Sequence, residues 1–333
     1  MSINDDVLDQ TIRHQVYLQR YNAQVLSRMR ALLSRVDREI VSELADVTPG
    51  EGASLERKLA NIRALNDQLG EDLKAFQRGE AGTLSEYEAD YTLRTNERLT
   101  GFTFEAVSAD YVRSATYAKF YENVHLRWAL PNQHVDEFTR RRNRLVIDAI
   151  RRGAVTGDSV SQIMRTVRGT ARAGYKDGLL DVSARTAETL VRTSLNHIAN
   201  AAREEVYARN EHLLKGVQWV SVLDRRTSPI CRSLDGKMFP VNSGPRPPAH
   251  PNCRSSTVSV FKGVANPEHP TYAEWLAKQS AETQKEILGP SRYKLYKDGG
   301  LTVDRFVDYS GKQYTLDQLR ALDSAAFAKA NLD

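Results

Sequence analysis

The chain has 333 residues, a formal net charge of +5 and a mean hydropathy of −0.52. This length allows two or three domains with a real hydrophobic core, and the sequence has no apolar run of the ~20 residues that a membrane span needs. The acidic N-terminus does not have the pattern of a secretory signal. Two cysteines in a chain of this size indicate a reducing compartment. We therefore expect a soluble protein that is made in a cytoplasm.

Two long amphipathic helices are predicted near the start of the chain. Apolar residues recur at steps of three and four over residues 5–46 and again over 53–78. Thr48–Gly52 separates the two stretches, and Gly79–Gly82 is predicted to form a turn. An isolated helical hairpin leaves one apolar face uncovered. We therefore predict that these helices form a partner-binding arm outside the core of the rest of the chain.

Helical patterns continue to about residue 212. Residues 84–130 are predicted to be largely helical with a break near Gly101, and another helix begins at Pro131. Asp158 is the predicted N-cap of a helix over 159–168. A further helix is predicted over residues 183–210.

Positive charge is concentrated between Thr139 and Lys176, where ten Lys or Arg stand beside two Asp. A basic block of this kind favours a polyanion, most simply nucleic-acid phosphate. The alternative is a solvated helix face whose arginines pair with acids elsewhere. The candidate DNA-contacting residues are Arg140, Arg141, Arg144, Arg151, Arg152 and Arg165.

The pattern changes after residue 212. Short stretches over residues 217–223, 237–241 and 255–261 have the composition of strands, and Ser228–Pro229 begins a short helix that ends at Gly236. The predicted fold class is mainly α, with a long N-terminal helical hairpin or bundle followed by a small α+β domain that has a short antiparallel sheet around a Cys/His segment. We predict four segments: a helical arm or bundle (1–130), an Arg-rich helical part (131–212), the β segment (213–264) and a C-terminal helical region (265–333).

Both cysteines fall within the same short segment as His250. Three interpretations are open. The group binds zinc, with Asp224, Asp235 or His197 as fourth ligand; or the thiols form a disulfide, worth roughly 3 kcal/mol; or Asp224 and His250 pin a proline-rich loop while the cysteines pack as small apolar groups. The candidate metal ligands are Cys231, His250, Cys253 and Asp224.

Catalysis is a further interpretation of the same residues. Cys253 beside His250 suggests a nucleophile and a base, but an orienting third group is not evident. The sequence near the motif also has no cluster of carboxylates for two-metal phosphodiester cleavage. We predict a structural protein and not an enzyme, with a metal-dependent nuclease as the alternative.

The spaced motif resembles the C-terminal domain of the phage Mu F-like minor head protein family, also called phage head morphogenesis proteins. The resemblance covers roughly residues 140–295, including a later segment with Tyr272, Trp275, Leu276 and Gln279. The matching motif residues are Arg192, Thr193, Asp224, Thr227, Cys231, Leu234, Gly236 and Pro247 to Arg254.

This resemblance implies a minor structural component of a tailed-phage virion. Such proteins associate with the portal and the head interior during assembly, and some contact DNA or leave the capsid with it. The expected partners are the portal protein, packaged double-stranded DNA and the scaffold or major capsid protein, with no membrane involved during assembly. The expected location is the head interior or portal vertex, after synthesis in the host cytoplasm.

Overall fold

The computed structural model describes residues 2–45, 52–122, 131–268, 270–308 and 312–332. Most of the predicted break at Thr48–Gly52 lies outside these ranges. No helix within them has the length and apolarity that crossing a membrane requires. The long helices are α1 (Ile3–Ala45), α2 (Gly52–Thr100), α3 (Ala109–Glu122), α4 (Pro131–Thr156), α5 (Val160–Arg168) and α6 (Leu179–Arg209). The later elements are β1 (Leu214–Val220), α7 (Pro229–Leu234), β2 (Met238–Phe239), β3 (Ser256–Phe261), α8 (Tyr272–Ala277), α9 (Ala281–Leu288), α10 (Pro290–Lys297), α11 (Leu316–Leu322) and α12 (Ser324–Lys329).

Helix α2 is one continuous helix, so the predicted turn at Gly79–Gly82 is wrong. A glycine inside a helix costs only about 1 kcal/mol relative to alanine. Packing outweighs this cost. Ala81, between the two glycines, and Leu84, two residues after Gly82, are both buried in the core. The predicted break near Gly101 is confirmed, since α2 ends at Thr100 and Gly101 has a positive φ of 70°.

Gly70 of α2 faces Thr139 of α4. A Cβ at this position would stand 2.7 Å from the hydroxyl oxygen of Thr139 in α4. A larger residue at position 70 would therefore require the Thr139 side chain or the helix to shift.

Helix α5 begins one residue later than predicted. Ser159, and not Asp158, is its N-cap, with its side chain accepting a hydrogen bond from the backbone of Gln162. The side chain of Gln162 in turn accepts a hydrogen bond of 2.7 Å from the backbone N–H of Ser159. This reciprocal capping box satisfies two donors at the helix start, which a single Asp158 cap would not do.

The first two helices share one hydrophobic core with the helices that follow. Met29 and Ile40 of α1, Ile62 of α2, Ile150 of α4 and Leu195 of α6 belong to the same buried cluster. The prediction that α1 and α2 form an arm outside the core is therefore wrong, because their apolar faces are already covered by α4, α5 and α6 of the same chain. The division into four sequence segments stays a prediction.

The three strands form an antiparallel sheet in the order β2-β1-β3, and the predicted fold class is confirmed. Every residue of β3 is buried, so both faces of this strand are covered. The free edge of β3 meets the start of α1, where the backbone N–H of Phe261 donates to the Asn4 side chain at 3.0 Å and Asn4 donates to the carbonyl of Ala265 at 2.7 Å.

The helices after the sheet have a separate hydrophobic core. It includes Tyr272, Leu276, Leu295 and Phe327. Tyr272 also joins this region to the sheet segment, because its backbone N–H donates to Asp235 at 2.6 Å and its hydroxyl donates to the carbonyl of Asp224 at 2.9 Å. The C-terminal helices are thus attached directly to the loops of the motif.

A buried ionic network connects α1, α2, α6 and β3. Glu88 of α2 is fully buried and accepts from His14 of α1 at 2.6 Å and from Arg203 of α6 at 2.8 Å. Arg203 also donates to Ser256 of β3. Burial would raise the pKa of Glu88, but the charge of Arg203 and the hydrogen bond from His14 outweigh burial, so this pKa lies below its ordinary value.

We expect Glu88→Gln to lower the free energy of unfolding by about 3–5 kcal/mol at neutral pH, because it leaves Arg203 buried without its counter-charge. A carboxyl with a lowered folded-state pKa stabilises the fold above its ordinary pKa, and this contribution is lost as pH falls through the folded value. The difference in free energy of unfolding between wild type and variant should therefore become smaller at acidic pH. Denaturant unfolding at several pH values measures this difference.

The matched control is Glu86→Gln on the same helix, whose side chain is 41% exposed and pairs with Arg113 at 3.0 Å. It should cost under about 1 kcal/mol. Equal effects of the two substitutions, or a Glu88→Gln effect that does not change with pH, would contradict the assigned role of the network.

Candidate metal centre

The side chains of Cys231, His250 and Cys253 converge at one point in the fold. Their ligand atoms all lie within 4.8 Å of one another. The Sγ atom of Cys231 is 3.6 Å from Sγ of Cys253 and 3.3 Å from Nε2 of His250. Both cysteines are free thiols and are buried, and His250 is half-buried. This Cys-His-Cys group could bind a metal.

Cys231 is placed by the short helix α7, which begins as predicted. Ser228 is the N-cap and accepts from the backbone N–H of Cys231 at 3.3 Å, and Pro229 occupies the first turn. The carbonyl of Cys231 accepts from Ser221 at 2.9 Å. The same Ser221 hydroxyl accepts from the indole N–H of Trp219, a fully buried residue of β1. The helix is therefore held against the sheet through its cysteine.

Helix α6 holds the second half of the motif. The side chain of Asn196 donates to the carbonyl of Cys253 at 2.9 Å, and the hydroxyl of Thr193 accepts from the backbone N–H of Asn252 at 3.0 Å. Asn252 has a positive φ of 59°, a conformation that asparagine tolerates better than most residues. The turn that carries His250 and Cys253 is thereby fixed on the helix.

The imidazole of His250 is oriented by its own chain. Its Nδ1 lies 2.8 Å from the carbonyl oxygen of Pro251, and since a carbonyl only accepts, Nδ1 carries the proton. In the neutral ring, Nε2 then presents its lone pair toward the sulfur atoms. This tautomer is the one that a metal bound at Nε2 requires.

The two thiols differ in acidity. Burial raises the pKa of Cys253, but hydrogen bonding with Cys231 and the interaction with His250 outweigh burial and hold this pKa well below its usual range. The hydrogen bond to Cys253, and then burial, raise the pKa of Cys231. For His250, burial lowers the pKa, and the interaction with Cys253 more than offsets it, so the pKa is raised. The contacts within the group therefore favour the thiolate form of Cys253 over that of Cys231.

Asp224 lies near the group but is bound to another partner. Its two carboxylate oxygens accept from both Nη atoms of Arg254, at 2.7 and 2.6 Å. Burial would raise the pKa of Asp224, but these hydrogen bonds lower it overall. Thr227 completes the turn by donating to the carbonyl of Val222. Among the described residues, Asp224, Asp235 and His197 do not belong to the metal-capable group.

Sequence reasoning missed the residues that support this group. Ser221 and Asn196 carry no motif signal of their own, and Thr193 is evident only as part of the motif. A signal for the two residues of α6 exists in the sequence of this helix, where polar residues recur at steps of four, three and four. These residues are Thr189, Thr193, Asn196 and Asn200.

The six candidate DNA-contacting arginines are divided by the structure. Arg140 pairs with Glu137 on its own helix at 2.9 Å, and Arg151 pairs with Glu56 of α2 at 3.0 Å. The other four are exposed and have no ion pair with another described residue. These are Arg141, Arg144, Arg152 and Arg165.

We expect Asp224→Asn to lower the free energy of unfolding by about 1–2 kcal/mol, because the bidentate pair with Arg254 loses its charge while both groups are partly solvated. Arg226→Ala is the control, since Arg226 is 78% exposed and stands 3.6 Å from the same carboxylate. Thermal and urea unfolding of both variants measure the effect. A loss from Arg226→Ala as large as that from Asp224→Asn would show that the Arg254 pair is not the important contact.

Comparison with known proteins gives one match. Residues 144–258 match a family model described as Phage Mu protein F like protein. Neither a curated protein nor a solved structure matches the chain. The matched residues contain α5, α6, the Cys-His-Cys group and most of the sheet. This part of the chain is therefore similar to Phage Mu protein F like proteins, which confirms the resemblance that its motif had predicted, while the later segment that begins at Tyr272 lies outside the match.

Proposed function

We propose that this protein is a minor head protein of a tailed phage, which acts in head morphogenesis, associates with the portal at the inner side of the capsid and contacts packaged double-stranded DNA. The observation that carries the proposal is the family match over residues 144–258. It is supported by the contacts of the motif, because Thr193, Asp224 and Cys253 each have a structural partner in the fold. A structural role in the particle agrees with such a motif.

The exposed arginines support the contact with DNA. Arg141, Arg144 and Arg152 lie on the solvent-facing side of α4, and Arg165 lies on α5. Because they have no ion pair with described residues, their charge is available to phosphates without breaking an existing pair. Phosphate contacts of this kind position a protein on DNA and carry no direct sequence information.

The basic surface continues beyond α5. Arg168, Arg172 and Lys176 are exposed, and the guanidinium of Arg168 lies 4.3 Å from the ring centroid of Tyr175. Stacking on an aromatic ring holds a guanidinium in place while it stays exposed. These residues extend the proposed DNA-contacting surface from α4 toward the start of α6.

The remaining parts of the proposal rest on the family. We propose a location in the head interior or at the portal vertex, with ejection into the host together with DNA as an accompanying step. The scaffold or major capsid protein is a further proposed partner. The protein has no enzymatic activity in this proposal, and zinc is the metal that we expect at the Cys-His-Cys group, because thiolate and imidazole ligands suit it.

The direct test is the location of the protein in purified particles. We expect a few copies per particle, co-purifying with the portal and protected from added protease until DNA is released. Quantitative mass spectrometry, with the portal subunits as the reference, gives the copy number. Protease treatment before and after DNA release shows whether the protein lies inside or outside the capsid shell. Absence from mature particles and from assembly intermediates would overturn the proposal and favour the alternative of a metal-dependent nuclease.

DNA contact is tested with the variant in which Arg141, Arg144, Arg152 and Arg165 are all replaced by alanine. We expect weaker binding to unrelated DNA sequences. The salt dependence of the binding constant should become shallower by about 0.9 for each phosphate that the variant no longer neutralises. Fluorescence anisotropy at several salt concentrations measures both quantities.

The matched control replaces four surface arginines that already have carboxylate partners. These are Arg13, Arg94, Arg113 and Arg225. Both variants lose the same net charge, so a difference between them reports position and not total charge. The same loss of affinity and slope in both would mean that the arginines of α4 and α5 are not a specific DNA-contacting surface.

A further inference from the structure

We propose that Cys231, His250 and Cys253 bind one zinc ion, and that this ion joins α7 to the turn before β3. The inference extends the metal expected in the proposed function and concerns its ligands and its effect on the fold. It is independent of where the protein lies in a particle. Three observations support this inference. They are the spacing of the ligand atoms, the polar surroundings of the sulfur atoms and the fact that the ligands come from two separate parts of the chain.

The spacing of the ligand atoms fits a tetrahedral zinc ion. With Zn–S of about 2.3 Å and Zn–N of about 2.0 Å, two sulfur ligands lie about 3.8 Å apart and a sulfur and a nitrogen about 3.5 Å apart. The corresponding distances are 3.6 Å between the two Sγ atoms and 3.3 Å from Cys231 Sγ to His250 Nε2. Two of the three ligand distances are therefore within a few tenths of an ångström of the values for a bound zinc ion, and the third, between His250 and Cys253, is at most 4.8 Å.

The surroundings of the sulfur atoms suit thiolates. Polar groups of Ser228 and Ser255 lie close to the sulfur atoms of Cys231 and Cys253. N–H and O–H groups beside a thiolate stabilise its negative charge and orient it as a metal ligand. A doubly positive ion would also offset the two buried thiolate charges, which are otherwise costly in this environment.

The fourth position is assigned to water that enters beside His250. Both carboxylate oxygens of Asp224 are occupied by Arg254. Those of Asp235 accept from the backbone N–H groups of Ser221 and Tyr272, each at 2.6 Å. Withdrawing either carboxylate would break the contacts that hold the loops, whereas His250 is half-buried and adjoins solvent. Three protein ligands and one water is a zinc arrangement known from catalytic sites, whereas closed structural sites have four protein ligands.

The ligands come from two separate parts of the chain. Cys231 belongs to α7, after β1, and His250 and Cys253 belong to the turn before β3. Among the residues around the group, Trp219, Ile230 and Ala249 form a small apolar cluster with the two cysteines. A cluster of this size gives limited hydrophobic stabilisation, so an ion that binds both halves should add to the stability of the folded state.

The experiment uses the full chain, purified under reducing conditions from cells supplied with zinc. We expect about one zinc per chain by mass spectrometry, and cobalt substitution should give a thiolate-to-cobalt charge-transfer band. Cys231→Ser and Cys253→Ser should each reduce that band by about half, and His250→Ala should weaken metal binding about 100-fold or more. Asp224→Asn should retain the metal, because Asp224 is bound to Arg254.

His212→Ala is the control, since His212 is exposed and lies outside the group. It should leave the metal content and the cobalt spectrum unchanged. A chelator should lower the melting temperature of the wild-type chain reversibly, which keeps the test valid if a cysteine variant does not fold. This measurement is made on the isolated chain, so its failure is distinguishable from failure of the proposed function.

Two outcomes would overturn the proposal. Metal-free protein with two alkylatable thiols would mean that hydrogen bonds alone hold the group. Metal-free protein in which, after removal of the reductant and unfolding in denaturant, Cys231 and Cys253 resist alkylation until a reductant is added again would mean that they form a disulfide. Loss of the cobalt thiolate band in Asp224→Asn would overturn the assigned ligand set.

Discussion

The burial of α6 is the constraint on which the rest of the structure depends. One side of this helix packs into the core shared by the long helices, through residues such as Val191 and Leu195. Its other side meets the sheet and the motif turn, where Asn196 and Arg203 make hydrogen bonds. A helix covered on both sides must find partners for every polar group it carries. The motif turn and β3 provide such partners for Asn196 and, through Ser256, for Arg203.

This arrangement changes how the motif is understood. Asp224 and Thr227 are not free to act on a ligand, because Arg254 binds the first and the chain's own carbonyl binds the second. Their contacts hold the loop after β1 in place, and Asp235 does the same for the loop before α8. Most residues of the motif therefore fix the loops around the Cys-His-Cys group, and this group is the part of the motif that has the chemistry to bind an ion.

Much of the architecture could be predicted from the sequence, for identifiable reasons. The helical periodicity of α1 and α2 and the N-cap at Ser228 depend on local chemistry, and local chemistry is visible in a sequence. The convergence of Cys231 with His250 and Cys253 could also be anticipated, because both halves of the motif adjoin strands. The fold class followed from these features, and the family resemblance came from the spaced motif residues alone.

Other features could not be predicted because they depend on long-range contacts. An apolar stripe indicates that a helix is covered but not by what, so the arm interpretation of α1 and α2 had no way to identify α4 and α6 as their partners. The same limit applies to charge. Arg142 belongs to the basic block in sequence, yet it is buried and bound to Asp37 and Asn66. Composition alone could not separate it from the exposed Arg141 and Arg144.

The contact between Asn4 and β3 has a consequence for how the two ends of the sequence depend on each other. An uncovered edge strand is a template on which another chain can add a strand, and proteins usually block such edges. Here the blocking group is a side chain 257 residues away from Phe261 in sequence, in the first turn of α1. The start of the chain therefore protects the sheet from unwanted strand pairing. Until α1 has docked, the edge of β3 is open to another strand. Docking of α1 closes this edge and so disfavours self-association of the chain through β3.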